Sequence, residues 1–157
     1  MTMFAADVMT SPVASVAPGA RVSEIAALMT SRHIGAVPVC AADGMLVGIV
    51  SEADILKPFL GSRRLIRERW LNLIAEGENL SQEFLNYIQS DVRTAADVMR
   101  REVRSVVETT PVQELADLLT THKIRHLPVL REGRLVGIIS RADLVAAIAR
   151  APADVLS

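Results

Sequence analysis

The sequence is poor in the residues on which several functional classes depend. One cysteine, Cys40, stands among 157 residues. That excludes an internal disulfide and a cysteine-rich zinc site, and it fits a reducing cytoplasm. Aromatics are scarce, with one Trp, one Tyr and three Phe, too few for a platform that stacks single-stranded nucleic acid. Neither sign of charge dominates: 17 Lys and Arg oppose 18 Asp and Glu. A general nucleic-acid binder needs a net basic face, so that class is disfavoured. No uncharged apolar run approaches the roughly 18 residues of a membrane span, and membrane insertion is not expected. The first seven residues lack the basic and long apolar parts of a signal peptide. No Walker-type or dinucleotide glycine loop is present, and Gly44-x-x-x-Gly48 reads as a hairpin. His33, His122 and His126 have no metal-ligand spacing, and Cys40 has no evident base partner. Neither an enzyme nor a metal site is therefore expected. What the chain does have is a 50% hydrophobic composition, ample for a packed core.

It also repeats itself. Ala6-Asp7-Val8-Met9 returns as Ala96-Asp97-Val98-Met99, Ser15-Val16 as Ser105-Val106, and Pro38-Val39 as Pro128-Val129, each 90 positions on. The segment from Gly44 to Asp54 returns as Gly133 to Asp143, displaced by 89. The missing residue falls between Ala41-Ala42-Asp43-Gly44 and Arg131-Glu132-Gly133. A hairpin turn is where a deletion is tolerated.

Each repeat reads as β-α-β-β-α. Short β runs are expected near Val13–Val16 and Val103–Val107. Helices follow, with apolar stripes at Ile25, Leu28 and Met29 and at Leu115, Leu118 and Leu119. Thr110-Pro111-Val112-Gln113 predicts a capped start for the latter, with Thr110 as cap and Pro111 first in the helix. Ala36–Cys40 with Leu46–Val50, and Leu127–Leu130 with Leu135–Ile139, predict two hairpins. A last helix should begin at Ser51 and at Ser140. The boundaries are residues 1–57 for the first repeat, 58–94 for an insert and 95–157 for the second repeat. Ile66, Trp70, Leu73 and Ile74, then Leu80, Phe84, Leu85 and Ile88, predict two short helices in the insert. It either covers apolar surface or makes an oligomer contact. Its arginines, Arg63, Arg64, Arg67 and Arg69, read either as a solvated helix face or as a contact for a polyphosphate, an acidic partner or nucleic acid.

The ordered set Ala-Asp-Val-Met, then Ile34-Gly35-Ala36-Val37-Pro38-Val39 or Ile124-Arg125-His126-Leu127-Pro128-Val129, then Gly48-Ile49-Val50-Ser51-Glu52-Ala53-Asp54 or Gly137-Ile138-Ile139-Ser140-Arg141-Ala142-Asp143, resembles a tandem pair of CBS (cystathionine-β-synthase) domains, the Bateman module. The insert resembles those of bacterial stand-alone CBS-pair proteins. The resemblance implies a mixed α+β fold, with the two repeats packed about a pseudo-twofold axis. It also implies a regulatory sensor that binds an adenosine-containing ligand (AMP, ADP, ATP, S-adenosylmethionine or NAD) between the repeats. Such a sensor forms a homodimer and signals to a separate effector protein through a change of repeat or subunit orientation. No further cofactor is implied.

The residues suit that chemistry. Where a strand ends at Ser140 and a helix opens, unpaired amides and the helix dipole attract an anion, and the hydroxyl adds a hydrogen bond. Asp143, one turn on, is an acceptor suited to both hydroxyls of a ribose. Ser51 and Asp54 repeat the arrangement. The same tetrapeptide is also a good helix cap, and both roles can hold together. The resemblance places Arg125 and His126 toward phosphate, and Arg141 is grouped with them. The first repeat has Gly35 and Ala36 in place of the basic pair and Glu52 in place of Arg141, so the two sites should be unequal. Val13, Val103, Ala36, Val37 and Leu127 are candidates for an apolar adenine slot, or for ordinary core. The rival to the sensor reading is a ligand-free pair that only dimerises or gates a partner protein.

Overall fold

In a computed structural model of the chain, residues 2–60 and 92–153 are described. The two helices expected at Ile66–Ile74 and Leu80–Ile88, and the insert arginines, lie outside the described residues.

Each Ala-Asp-Val-Met motif turns out to be a single turn of helix, α1 (Ala5–Val8) and α4 (Ala95–Val98). The aspartate in each is the reason. Asp7 accepts the Phe4 N–H at 2.8 Å. Asp97 accepts the Thr94 N–H at 2.8 Å and its hydroxyl at 3.0 Å. These acids close a first turn too short to form from propensity alone. After α1 come α2 (Val22–Arg32), β1 (Ala36–Cys40), β2 (Leu46–Ser51) and α3 (Glu52–Leu60). After α4 come β3 (Val106–Val107), α5 (Val112–Thr120), β4 (His126–Arg131), β5 (Arg134–Ser140) and α6 (Arg141–Arg150).

The chain divides into two compact units that cut across the repeats. One comprises residues 1–15, 40–47 and 102–157, and the other 16–39 and 48–101. Each repeat thus gives its leading helical turn to the unit that holds the other repeat's last strand and helix.

In the first unit β3 runs parallel to β4, with Val106 opposite Val129, and β4 runs antiparallel to β5, with Leu127 opposite Ile139 and His126 opposite Ser140. Alternation sends Leu127, Val129 and Ile139 into a core shared with Ala5, Val8, Leu115, Leu119 and Ala147. The β4–β5 turn places Glu132 at φ 52° and Gly133 at φ 82°, the paired left-handed residues of a two-residue hairpin. The cap of α5 differs from the sequence expectation. Pro111 holds the N-cap position with φ −64° and ψ 146°. Thr110 is buried and its hydroxyl instead accepts the Val107 N–H at 3.1 Å. The threonine closes the turn before the helix and does not cap it.

The second unit buries Val22, Ile25 and Met29 of α2 with Val37, Val39, Val50 and Ala95. The β run expected at Val13–Val16 reduces to one bridge, Val16 beside Val39.

The leading turns are seated on glycines. A Cβ on Gly137 would come within 2.8 Å of Met9 Cγ. A Cβ on Gly48 would lie 2.8 Å from Met99 Cγ and 2.9 Å from the Arg100 carbonyl oxygen. The methionine of one repeat therefore lies directly on the bare backbone of the other repeat's strand, and the sequence pairs the Ala-Asp-Val-Met and Gly-Ile motifs for this reason.

Arg131 and Glu108 form a two-pronged pair at 2.6 and 2.7 Å on the surface of the first unit. The guanidinium holds the Glu108 carboxyl below its ordinary value. A depressed carboxylate stabilises above its unfolded pKa and loses that contribution as pH falls through its folded value. The melting-temperature difference between wild type and Arg131→Gln should therefore be small at neutral pH, as for any exposed pair, and should shrink to nothing as pH falls from the ordinary Glu range through the depressed folded value. A difference that grows on acidification would contradict the sign.

Candidate ligand site

Ser140 is the last residue of β5 and the N-cap of α6, extended at φ −119° and ψ 173°. Asp143 stands at the third helical position, where it meets the cap. Its Oδ2 accepts the Ser140 N–H at 2.7 Å and the Ser140 hydroxyl at 3.1 Å. The capping role of this tetrapeptide is therefore real. It leaves the other carboxylate oxygen facing elsewhere, and Oδ1 accepts the hydroxyl of Thr10 at 2.9 Å. Thr10 comes from the first repeat, just past α1. Two backbone hydrogen bonds fix it beside β5: Thr10 N–H to the Ile138 oxygen at 2.9 Å, and Ile138 N–H to the Thr10 oxygen at 3.1 Å. Both repeats thus meet on one half-buried carboxylate, at the positive end of a ten-residue helix.

The second unit builds the same frame. Asp54 Oδ2 accepts the Ser51 N–H at 2.8 Å and its hydroxyl at 2.9 Å. The backbone beside it again exchanges two hydrogen bonds, Ile49 N–H to the Arg100 oxygen at 3.1 Å and Arg100 N–H to the Ile49 oxygen at 2.9 Å. Here the residue past the helical turn is Arg100, and its Nε donates to Asp54 Oδ1 at 3.3 Å. Asp54 is only 9% exposed, while Arg100 is 67% exposed.

Thr10 and Arg100 were not among the candidates from sequence. Their signal is positional: each follows the Met of its Ala-Asp-Val-Met motif. The partnership becomes visible only once the leading turn is known to dock on the opposite repeat's strand.

The other candidates divide. His126 lies opposite Ser140 across β4 and β5, so Arg125 and His126 stand at the strand end that carries Ser140. Arg125 is exposed and His126 half-buried. Arg141 is turned to other work: its Nε donates to the Leu119 carbonyl at 2.9 Å, which satisfies an open carbonyl at the end of α5. Leu127 and Val37 are fully buried and Ala36 nearly so. Of the two roles open to them, adenine slot or ordinary core, this burial is what ordinary core requires. Val13 and Val103 are half-buried. Burial pushes the Cys40 thiol above its ordinary value, against a hydrogen bond with Ser15, so it is a poor nucleophile. Among the described residues no cluster of His, Cys, Asp or Glu is arranged to hold a metal, and no helix is long and apolar enough to cross a membrane.

The model of the CBS domain matches residues 5–61 and again 95–150. The chain belongs to the CBS domain family. MJ1426 of Methanocaldococcus jannaschii is 31% identical to this CBS pair over 157 residues, 93% of this chain and 91% of the relative. The CBS domain-containing protein YhcV of Bacillus subtilis is 30% identical over 139 residues, 88% of this chain and 80% of its own. Among solved structures, CBSX2 of Arabidopsis thaliana in complex with AMP superposes with a TM-score of 0.69 at 25% identity, covering 94% of this chain and 97% of that one. The mixed α+β architecture is that of the CBS pair.

Proposed function

We propose that this CBS pair is a regulatory module that binds an adenosine-containing ligand and performs no reaction of its own. The observation that carries the reading is the Asp143 carboxylate, held on one oxygen by its own helix cap and on the other by Thr10 of the opposite repeat. A ribose diol donating to Oδ1 takes the place of a neutral threonine hydroxyl, an even exchange of one hydrogen bond for another. The Ser140 hydroxyl, turning its one proton from Asp143 Oδ2 to the ligand, and the start of α6 then receive phosphate, with Arg125 and His126 at the same strand end. Arg125 brings the planar fork that suits a phosphate. The AMP complex of CBSX2 supports the ligand class.

Because the site is made by both repeats, its ligand favours whichever arrangement of repeats or subunits brings them onto it. Regulation is then a population shift. The reading extends to a homodimer whose arrangement a separate effector protein senses.

A melting panel tests it. With AMP, ADP, ATP, NAD, S-adenosylmethionine and GTP each supplied in excess, at least one adenosine compound should stabilise the chain. At a hundred times Kd the gain is about 2.7 kcal/mol, or about 5–11 °C for a chain of this size. Flat curves for every adenosine compound would reject the reading and favour a ligand-free interaction module.

A further inference from the structure

We propose that the residue following each Ala-Asp-Val-Met motif decides which site is open: Thr10 leaves the Asp143 site available to a ribose diol, and Arg100 closes the Asp54 site against it. The inference rests on the reading that Ser140 and Asp143 hold an adenosine-bearing ligand.

The two carboxylates sit in matching hydrogen-bond frames. Each carboxylate gives its Oδ2 to the serine N–H and hydroxyl of its own helix start. Each neighbouring segment is fixed by a reciprocal pair of backbone hydrogen bonds, Thr10 with Ile138 and Arg100 with Ile49. The difference is the donor on Oδ1. In the first unit it is a threonine hydroxyl at 2.9 Å. A hydroxyl is neutral, rotates, and accepts as well as donates, so it can yield the carboxylate and then accept from the incoming diol. In the second unit the donor is a guanidinium at 3.3 Å. A guanidinium is permanently charged and only donates. A diol also donates, so the diol and Arg100 compete for the same oxygen. Arg100 has the advantage, because its charge balances Asp54 without any ligand. Asp54 is 9% exposed, whereas Asp143 is half-buried. Displacing Arg100 would strip the countercharge from a buried carboxylate, a costly exchange for a neutral hydroxyl.

Beyond the basic pair that the first repeat lacks, the sites thus differ at the carboxylate itself by one exchanged side chain, Thr for Arg. Calorimetric titration of the full chain with AMP tests this. Wild type should bind one AMP per chain. Arg100→Thr, which gives the second site the side chain the first already carries, should bind two. Arg100→Gln keeps length but removes the charge, and should raise affinity at the second site at least about tenfold. Thr10→Arg should abolish binding at the first site and leave none. Because Arg100→Thr and Thr10→Arg each install a residue that the matching frame already accommodates, folding should survive; unchanged circular dichroism checks this for all three variants. Two AMP bound to wild type would overturn the assignment of Arg100, as would one AMP bound to both wild type and Arg100→Thr. Wild type that binds neither AMP nor any other adenosine compound of the melting panel would overturn the parent reading together with this one.

Discussion

Asp143→Ala should weaken AMP binding by about 10- to 150-fold, equivalent to about 1.5–3 kcal/mol from lost hydrogen bonds to a charged acceptor. The same substitution has a second, separable effect. Ser140 loses the acceptor for its N–H and hydroxyl, and Thr10 loses its partner. Removing one side of a capping box costs about 1 kcal/mol, so the melting temperature of the unliganded chain should also fall by a few degrees. Asp97→Ala separates the two effects. Asp97 closes the start of α4 in the same way but belongs to the leading turn of the other unit. It should lower stability comparably and leave AMP affinity unchanged. Titration calorimetry and thermal melts on both variants decide the matter. Wild-type affinity in Asp143→Ala would show the site to be misplaced.

Gly48→Ala should destabilise the chain by about 1–3 kcal/mol, the usual cost of overpacking a filled interior, or roughly 2–12 °C in melting temperature. The new methyl would lie 2.9 Å from the Arg100 carbonyl oxygen, a backbone atom held by two hydrogen bonds to Ile49, and it cannot move away cheaply. Gly137→Ala should cost less. The atoms nearest its methyl belong to the Met9 side chain, which is flexible and can turn aside. The order of the two variants is the informative result. Equal losses, or a larger one at Gly137, would contradict the close docking of Met99 and Arg100 on β2.

Much of this fold was legible in the sequence because apolar spacing is a local signal. Of the stripe Ile25, Leu28 and Met29 only Leu28 is not fully buried, Leu115, Leu118 and Leu119 are all buried, and both hairpins form where the paired β runs placed them. The leading turns were not legible, because four residues are too few to show a period. Their sign was a single aspartate three positions after the cap. Thr110 shows another limit. A threonine before a proline is equally suited to capping a helix or to closing the turn ahead of it, and the backbone accepted the turn. The apolar slot meets a similar limit. Val37 and Leu127 are apolar residues in β strands, and nothing local distinguishes a side chain that faces a ligand from one that faces the core. Within the candidate site, Ser140 and Asp143 were visible because they are three residues apart. Thr10 was invisible because its hydrogen-bond partner is 133 positions away. It reaches that partner only because the leading turn of one repeat docks on the last strand of the other.

The central claim is that both repeats grip one ligand at the Asp143 carboxylate. Its most direct test is titration of isotope-labelled protein with AMP, followed by amide NMR. The account predicts that Thr10, from the first repeat, and Ser140 and Asp143, from the second, shift together along one saturating curve, while Ser51 and Asp54 stay still until far higher concentration. Shifts at Ser140 and Asp143 with Thr10 unmoved, or a saturating response confined to residues outside this group, would contradict it.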